Sequence, residues 1–564
     1  MGVTGRHGRA EGETVMDQKK RNQLSRRGLL AGAGALAIGG AGLASTVGAG
    51  SAVAAPGAGA PQPTAFGPVT VRAGDLRYEN LVRGNNFRFV GRPDEIRVVG
   101  STDQVVRAVS DAVRSGRRVA ARSGGHCFEN FTADPAVRML LDLSPMDAVS
   151  YDAGRRAFAV QPGATLARVY RTLLWGWGVT IPAGSCPEVG AGGHIAGGGY
   201  GVLSRRYGSV VDHLYGVEVV VVNRDGIARA VVATRAPDDP HQDLWWAHTG
   251  GGGGNFGVVT RYWLRSPGAT GTDPSRLLPP SPREMLECVV IWAWDDRMTE
   301  QAFTGLLRNF GTWHERNSGP GSPYAGLYAV LIPAHKKAGT FQMVIQTDAG
   351  IPNADDLVTD FVSAVTTGTG VEPVFNTRRT MPWLHATTWP GLGEPGTVFN
   401  RRYKIKAGYL RRSLTDPQLS AIYRNLTNST GGSGSGMVLI GYGGQVRAVP
   451  AGATAIAQRD VVMKAVYQTI WTDEADDAAN LAWVRNLYRD VYAATGGVPV
   501  PGEVSDGSFI NYPDTDLTDP AWNTSSVPWH TLYYKDNYPR LQQVKARWDP
   551  RNVFHHALAI EPPA

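Results

Sequence analysis

The chain has 564 residues, and 42% of them are hydrophobic and 9% aromatic, which excludes a disordered protein and favours two domains over a single core. Its formal charge is +7, of which residues 1–27 contribute +4 and residues 28–54 contribute nothing. The remaining charge of +3 is too small for a nucleic-acid-binding surface, and no basic stripe with interleaved aromatic residues is present.

The first 54 residues predict an export signal. Arg26 and Arg27 precede an uncharged run rich in alanine and glycine, which ends in a small-residue cleavage site at residues 52–54. Paired arginines are typical of twin-arginine signals, so we expect secretion by that route and no membrane association after cleavage. A membrane anchor is the alternative, but a glycine-rich run is a poor bilayer span. A start at Met16 would retain the whole signal.

The elements that follow alternate between strands and helices. Pro-rich turns after Ser266 mark a domain boundary, and the pattern from there to Trp471 is typical of an α+β domain with an antiparallel sheet. Ser101 is expected to cap a helix that Gly116 ends. Strands are predicted at 95–99, 118–122, 139–143, 157–160, 217–223, 258–264, 287–292, 324–332, 341–346 and 437–442, and further helices at 166–177 and 478–492.

Three cysteines cannot form a full disulfide framework in an exported protein. We expect Cys288 to be a small buried hydrophobic residue and Cys127 to pack near a ligand. Cys186 is different because it is followed by Pro187 within a glycine-rich loop. A zinc site is not predicted, since His555 and His556 lack partner ligands at useful spacing.

Two motifs favour a ligand approached closely by main chain. Arg-Ser-Gly-Gly-His at 122–126 leaves a predicted strand, where exposed N–H groups can hold a pyrophosphate. In residues 184–201, eight of the eighteen residues are glycine. Neither a helix nor a strand favours so many glycines, because each loses extra backbone entropy on ordering. The sequence therefore predicts a ligand-binding loop there and a second tight loop at 250–257.

These motifs resemble the two flavin-attachment segments of the berberine bridge enzyme-like, FAD-linked oxidases. The similarity continues through residues 203–208, 252–258, 511–514 and 538–554 and so covers nearly the whole chain beyond the signal. It is greatest to actinobacterial members that tailor antibiotics. The resemblance implies an α+β, two-domain, PCMH-type FAD-binding fold. The expected domains are 1–54 as the signal, 66–266 for FAD, 267–520 for substrate, and 521–564 as a segment returning to the FAD domain.

The same resemblance implies that FAD is attached twice, His126 bonding the flavin 8α-methyl group and Cys186 bonding carbon 6. Two bonds raise the flavin potential and permit an open site for bulky substrates. Val189 lies where the family places a gatekeeper for oxygen, and a small side chain there resembles the oxidases. His194 is expected either to contact flavin or to bond backbone. The residues expected at the cofactor are Arg122, Ser123, Gly124, Gly125, His126, Cys186, Val189, Gly192, Gly193, His194, Gly197, Gly253, Asn255, Gly257, Val258, Asn511 and Asn552.

An alcohol oxidase needs a base for the substrate hydroxyl. Many relatives have tyrosine at the position of Phe509, and phenylalanine cannot take a proton, so the base is expected to be Tyr200, Tyr442, Tyr512 or another group that the sequence does not single out. Alternation along a strand would point Tyr512 away from Phe509 unless the backbone bends at Pro513. Lys464 resembles a lysine bordering the family's substrate site, and a solvated lysine on the sheet is the alternative.

The expected reaction is oxidation of a hydroxyl group on a secondary metabolite or its sugar. Hydride passes to flavin N5, and dioxygen is returned as hydrogen peroxide, so the partners are O2 and a polyketide, glycoside or sugar. Two alternatives stay open. One is an oligosaccharide or hexose oxidase with the same flavin motifs. The other is a flavin-containing, drug-binding resistance protein without catalysis, which the phenylalanine at 509 would suit.

Overall fold

The structure is a computed structural model that describes residues 65–388 and 401–563. The predicted export signal at 1–54 lies outside the described residues. Within them, the chain forms three sheets flanked by helices. In this part of the chain, no helix combines the length and apolarity that a bilayer crossing requires.

Strands β1 to β9 form two sheets. The first has the order β1-β2-β4-β3, with β2, β4 and β3 parallel, and the second has the antiparallel order β5-β6-β9-β7-β8. Each predicted strand of this region is present. The bounds are β1 Val69–Arg72, β2 Glu95–Val98, β3 Val119–Arg122, β4 Met139–Asp142, β5 Val149–Asp152, β6 Ala157–Val160, β7 Leu214–Val222, β8 Ala228–Thr234 and β9 Val258–Leu264.

Strands β10 to β16 form one antiparallel sheet in the order β13-β10-β12-β11-β15-β16-β14. Its residues alternate between two faces: Cys288, Val290 and Trp292 are fully buried on one face, while Val289 and Ile291 line a cavity on the other. The bounds are β10 Glu284–Ala293, β11 Tyr328–Ile332, β12 Thr340–Asp348, β13 Phe375–Pro382, β14 Arg402–Leu410, β15 Ser435–Gly441 and β16 Met463–Trp471.

Helices cover the outer faces of the sheets. The capping prediction is confirmed, because Ser101 Oγ accepts from Gln104 N at 3.4 Å and Gly116 follows the helix with φ +64°. The helix at 166–177 has the predicted bounds. The helices are Tyr78–Leu81, Thr102–Arg114, Leu166–Trp177, Ala191–Ala196, Ser204–Tyr207, Gln242–Ala247, Glu300–Asn317, Ala354–Thr366, Trp383–Thr388, Asp416–Thr427, Asp477–Val491, Trp529–Tyr534 and Tyr538–Trp548.

The glycine-rich segment at 184–201 contains a helix, Ala191–Ala196, so the prediction of a loop throughout was wrong. Its glycines permit close packing. A Cβ on Gly190 would lie 2.0 Å from Ser123 Oγ, and one on Gly199 would lie 2.0 Å from His194 Nε2. The helix therefore presses directly against the Ser123 turn, which brings the two motifs together.

The C-terminal segment returns to the region of β1 to β9. Lys545 Nζ donates to Asn255 O at 2.7 Å and lies 2.7 Å from Asp549 Oδ2. The backbone N–H of Ile560 donates to Asn255 Oδ1 at 2.9 Å. Contact with this region is already made at Asn511, whose Nδ2 donates to His194 O at 3.0 Å. Residues distant in sequence thus complete the part of the fold that begins the described chain.

Candidate active site

A cavity of about 1150 Å³ lies between the two motifs, the inner face of the β10–β16 sheet and the turn at residues 509–513. Ligand sites for drug-sized molecules usually measure about 300–1,000 Å³. This cavity is larger, so it has room for a large cofactor together with a bulky substrate. The sheet contributes a mostly apolar wall.

Fourteen of the seventeen residues predicted at the cofactor line this cavity: Arg122, Ser123, Gly124, Gly125, His126, Cys186, Val189, Gly192, Gly193, His194, Gly253, Gly257, Val258 and Asn511. The other three lie behind it. A Cβ on Gly197 would lie 2.0 Å from Asn511 Oδ1, so this glycine permits contact between segments. Asn255 bonds the C-terminal segment, and Asn552 forms a turn with φ +50°.

His126 and Cys186, on different motifs, face the same cavity. Burial lowers the pKa of His126 to about 4, so its imidazole is neutral near pH 7 and can act as a nucleophile. Burial raises the pKa of the Cys186 thiol above its ordinary value. It raises that of Cys127 further, to about 12, so Cys127 stays a thiol and suits packing better than chemistry.

The residues present fit FAD. Two nucleophilic side chains on separate segments face one space, as attachment at two ring positions requires. Gly193 lines the cavity, and a Cβ added there would meet no atom within 4 Å, so a planar group can lie against the helix backbone at this point. Arg122 holds the first motif in place, because its guanidinium lies 2.5 Å from Asp142 and donates to Arg83 O at 3.0 Å.

His194 has a structural bond as well as a place in the cavity wall. The backbone N–H of Gly184 donates to His194 Nε2 at 3.1 Å. Burial lowers the pKa of His194 to about 4, which keeps this nitrogen unprotonated as the bond requires. The imidazole therefore joins the start of the second motif to the helix in its middle.

Tyr200 and Tyr512 meet at the cavity, with their hydroxyl oxygens 2.9 Å apart. Residues 509–512 form a turn, in which Tyr512 N donates to Phe509 O at 2.8 Å, so the strand alternation that would point Tyr512 away from Phe509 does not apply. The turn places the rings of Phe509 and Tyr512 on the same side, 5.1 Å apart. Tyr512 thereby lies beside the position where relatives have tyrosine.

Lys464 on β16 lies among aromatic rings. Its Nζ is 3.3 Å from the ring centre of Tyr200, 3.8 Å from that of Phe509 and 4.3 Å from that of Tyr442. The residue is 2% exposed, so the alternative of a solvated lysine is wrong. Among the described residues its Nζ has no hydrogen-bond acceptor. Burial lowers the pKa of Lys464 and raises that of Tyr200, each far from its ordinary value.

Tyr442 lies behind Tyr200, with ring centres 5.5 Å apart, and is not part of the cavity wall. Its hydroxyl is buried without a hydrogen-bond partner among the described residues. Its carbonyl accepts from Arg205. The geometry therefore favours Tyr200 and Tyr512 over Tyr442 as groups that contact substrate.

Tyr328 and Glu287 are among the cavity residues that were not predicted. Tyr328 on β11 faces the cavity near the tyrosine pair. Glu287 on β10 is fully buried and accepts from Arg379 at 2.9 Å and from Gln346 at 2.9 Å. Both lie on the alternate positions of their strands that face the cavity. Strand alternation was the available signal, but it becomes useful only once the buried face is known.

Comparisons with known proteins give a consistent result. Residues 93–229 match the model of an FAD binding domain, and residues 508–561 match the model described as berberine and berberine like. Aclacinomycin-N/aclacinomycin-A oxidase of Streptomyces galilaeus is 54% identical over 551 residues, which cover 96% of this chain and 99% of that protein. Hexose oxidase of Chondrus crispus is 32% identical, with coverage of 86% and 93%.

A solved structure gives the same result for the fold. The crystal structure of a glycopeptide hexose oxidase complexed with teicoplanin has a TM-score of 0.85 and 53% sequence identity, and the match covers 88% of this chain and 100% of that one. The α+β FAD-oxidase architecture is therefore shared along the described chain.

Proposed function

This chain belongs to the berberine bridge enzyme-like family of FAD-linked oxidases, and from that premise we propose that it oxidises a hydroxyl group on a glycosylated secondary metabolite. The predicted PCMH-type fold and the predicted class, an FAD-dependent oxidoreductase using O2, are confirmed. For the substrate, the support comes from relatives whose names give aclacinomycins and a glycopeptide. The observation that carries the proposal is the Tyr200–Tyr512 hydroxyl pair on the wall of a large, mostly apolar cavity.

Bound FAD would accept a hydride from the carbinol carbon and pass the electrons to dioxygen. Tyr512 would hold the substrate hydroxyl at the cavity wall and, as the phenolate, take its proton. Burial raises the pKa of Tyr512, and the hydrogen bond with Tyr200 opposes that rise. With Tyr512 ionised, Tyr200 would donate a hydrogen bond to its oxygen, 2.9 Å away, and so stabilise the phenolate. The apolar sheet face excludes water from these groups.

Attachment of FAD through both His126 and Cys186 is part of the proposal. Its support is that both nucleophiles face one cavity from separate motifs. Denaturation followed by gel fluorescence tests it: flavin should stay on the wild-type polypeptide and on His126→Ala or Cys186→Ala. It should leave only the double variant. Complete release from the wild-type protein would contradict the attachment.

The substrate is tested by anaerobic bleaching of the bound flavin with aclacinomycin A, teicoplanin and free hexoses. We expect the glycosylated compounds to bleach it faster than hexoses, because an apolar wall binds a large aglycone better than a hydrated sugar. Faster bleaching by hexoses would favour the hexose oxidase alternative, which the 32%-identical relative supports. No bleaching by any alcohol would favour a drug-binding protein.

Secretion by the twin-arginine route is also a proposal, supported by the sequence of residues 1–54. In an actinobacterial host, the wild-type chain should appear outside the cell. A variant with Arg26→Lys and Arg27→Lys should remain inside, and export of that variant would contradict the route.

A further inference from the structure

A group of buried charges joins three chain segments beside the active site. Lys404 and Lys406 lie on β14 of the large sheet, Glu129 follows the first motif, and Asp514 and Asp516 follow the Tyr512 turn. At most 5% of each of these five side chains is exposed. We call these five residues the buried ion cluster.

Lys404 links the two loops that face the cavity. Its Nζ pairs with Glu129 Oε1 and lies 2.7 Å from Asp514 Oδ1. Lys406 contacts the second loop only, at 2.5 Å from Asp514 Oδ2 and 2.9 Å from Asp516 Oδ2. The surrounding carboxylates raise the pKa of Lys404 above its ordinary value, against the effect of burial, so Lys404 is protonated.

The two linked loops carry the groups that the reaction needs. Glu129 lies three residues after His126, and Asp514 lies two residues after Tyr512. Between them, the Phe128 ring stacks on the Tyr512 ring with centres 5.4 Å apart and planes 16° apart. Movement of either loop would therefore change the position of Tyr512 relative to the cofactor.

Stability alone does not explain a fully buried ionic cluster. Apolar side chains of similar volume often replace buried ion pairs with no loss of stability, because desolvation offsets the attraction between the charges. Paired charges do impose direction, since hydrogen-bonded ions have a narrow range of favourable geometries. This cluster connects β14, the His126 loop and the Tyr512 turn, so the geometry of its ion pairs fixes the relative positions of all three segments.

We propose that Lys404 is a positioning residue, which holds the His126 loop and the Tyr512 turn at the separation that directs the cofactor and the Tyr512 hydroxyl towards one carbinol. The proposal rests on the proposed function of Tyr512 and His126. Lys404 itself is absent from the cavity wall.

The test compares Lys404→Met with Lys404→Arg in the full chain purified with its cofactor. Without the charge, we expect the fraction of FAD recovered on the His126 peptide after proteolysis to fall and the visible absorption of the flavin to shift. With aclacinomycin A as probe, kcat should fall roughly ten- to a hundred-fold while KM changes little, because misplacement of a catalytic group by about 1 Å has such an effect. Lys404→Arg should restore most of each value.

Arg485→Met is the matched control. It removes a charge that contacts Asp516 at 2.7 Å and is 28% exposed, but it touches neither Glu129 nor Asp514. We expect wild-type attachment and kcat from it. If Lys404→Met does not fold, Glu129→Gln replaces it, because the amide keeps the shape and removes the charge that Lys404 holds.

Normal attachment and kcat within about twofold of wild type in folded Lys404→Met or Glu129→Gln would overturn the proposal, since a misplaced group has a larger effect. A loss in Lys404→Arg as large as that in Lys404→Met would also overturn it. The Tyr512→Phe variant distinguishes failure of the proposed base, Tyr512, from failure of the proposed positioning role of Lys404. Full activity of Tyr512→Phe would refute the assigned base, whereas an inactive Tyr512→Phe beside a normal Lys404→Met refutes the positioning role only.

Discussion

Replacing Tyr512 by phenylalanine removes one oxygen atom from the site. That hydroxyl has one hydrogen bond, to Tyr200 at 2.9 Å, while the ring keeps its contacts with Phe128 and Phe509 at 5.4 and 5.1 Å. Loss of one hydrogen bond should lower the free energy of unfolding by only about 1 kcal/mol. A positioned base contributes roughly 10²- to 10⁴-fold to rate, so kcat should fall by that factor, equivalent to about 3–5 kcal/mol in the barrier.

The assay measures hydrogen peroxide release and, in anaerobic rapid mixing, flavin reduction by aclacinomycin A. Tyr442→Phe is the control, because it removes a buried hydroxyl that has no partner among the described residues and lies off the cavity. We expect it to keep wild-type kcat and to unfold at the same or a higher temperature. A Tyr512→Phe rate within about threefold of wild type, far less than a base supplies, would refute the reasoning. So would an equal loss in both variants.

Two further changes test the contact of the cofactor with the helix backbone at Gly193 and the burial of Lys464. Gly193→Ala should leave folding intact, because its Cβ meets no atom within 4 Å, yet lower the flavin-to-protein absorbance ratio. Gly199→Ala, whose Cβ would lie 2.0 Å from His194 Nε2, should instead lower the melting temperature. If both variants had the same melting temperature and the same flavin content, a cofactor site at Gly193 would be contradicted. Burial lowers the pKa of Lys464 in the folded chain well below its ordinary value. Between the pKa of the folded chain and that of the unfolded chain, the unfolded chain binds more protons than the folded chain, so the free energy of unfolding rises with pH. The melting temperature of the wild type minus that of Lys464→Met should be larger at about pH 10 than at about pH 7. The same difference at both pH values would contradict the depressed pKa.

Local signals predicted the elements whose causes are local. The helix at 166–177 and the strand at 258–264 follow from hydrophobic periodicity and flanking turns, and both have the predicted bounds. The helix cap at Ser101 was also predicted, because its signal lies within a few residues of sequence. The two glycine-rich motifs at 122–126 and 184–201 were found because they are long and ordered, so their resemblance to a family is specific.

Other features depend on contacts that the sequence does not show. Alternation along a strand at 509–512 would point Tyr512 away from Phe509, but Asn511 binds His194 O and the backbone turns. The helix at 191–196 was missed because glycine propensity argues against it, and tertiary packing on the Ser123 turn overrides that propensity. The buried state of Lys464 follows from aromatic rings of four separate segments, at Tyr200, Tyr409, Tyr442 and Phe509, which meet around it and which no short window of sequence can reveal.

The bonds from Lys545 to Asn255 and Phe554 have a consequence for synthesis. Chains emerge from the ribosome N-terminus first, and domains commonly fold as they emerge. Here residues 93–229, matched as an FAD binding domain, belong to a region that Asn511 and Lys545 complete only near the end of translation. The early part must therefore wait, with apolar surface exposed, for the late part to arrive. A ribosome that stalls before Lys545 would leave a nascent chain dependent on chaperones.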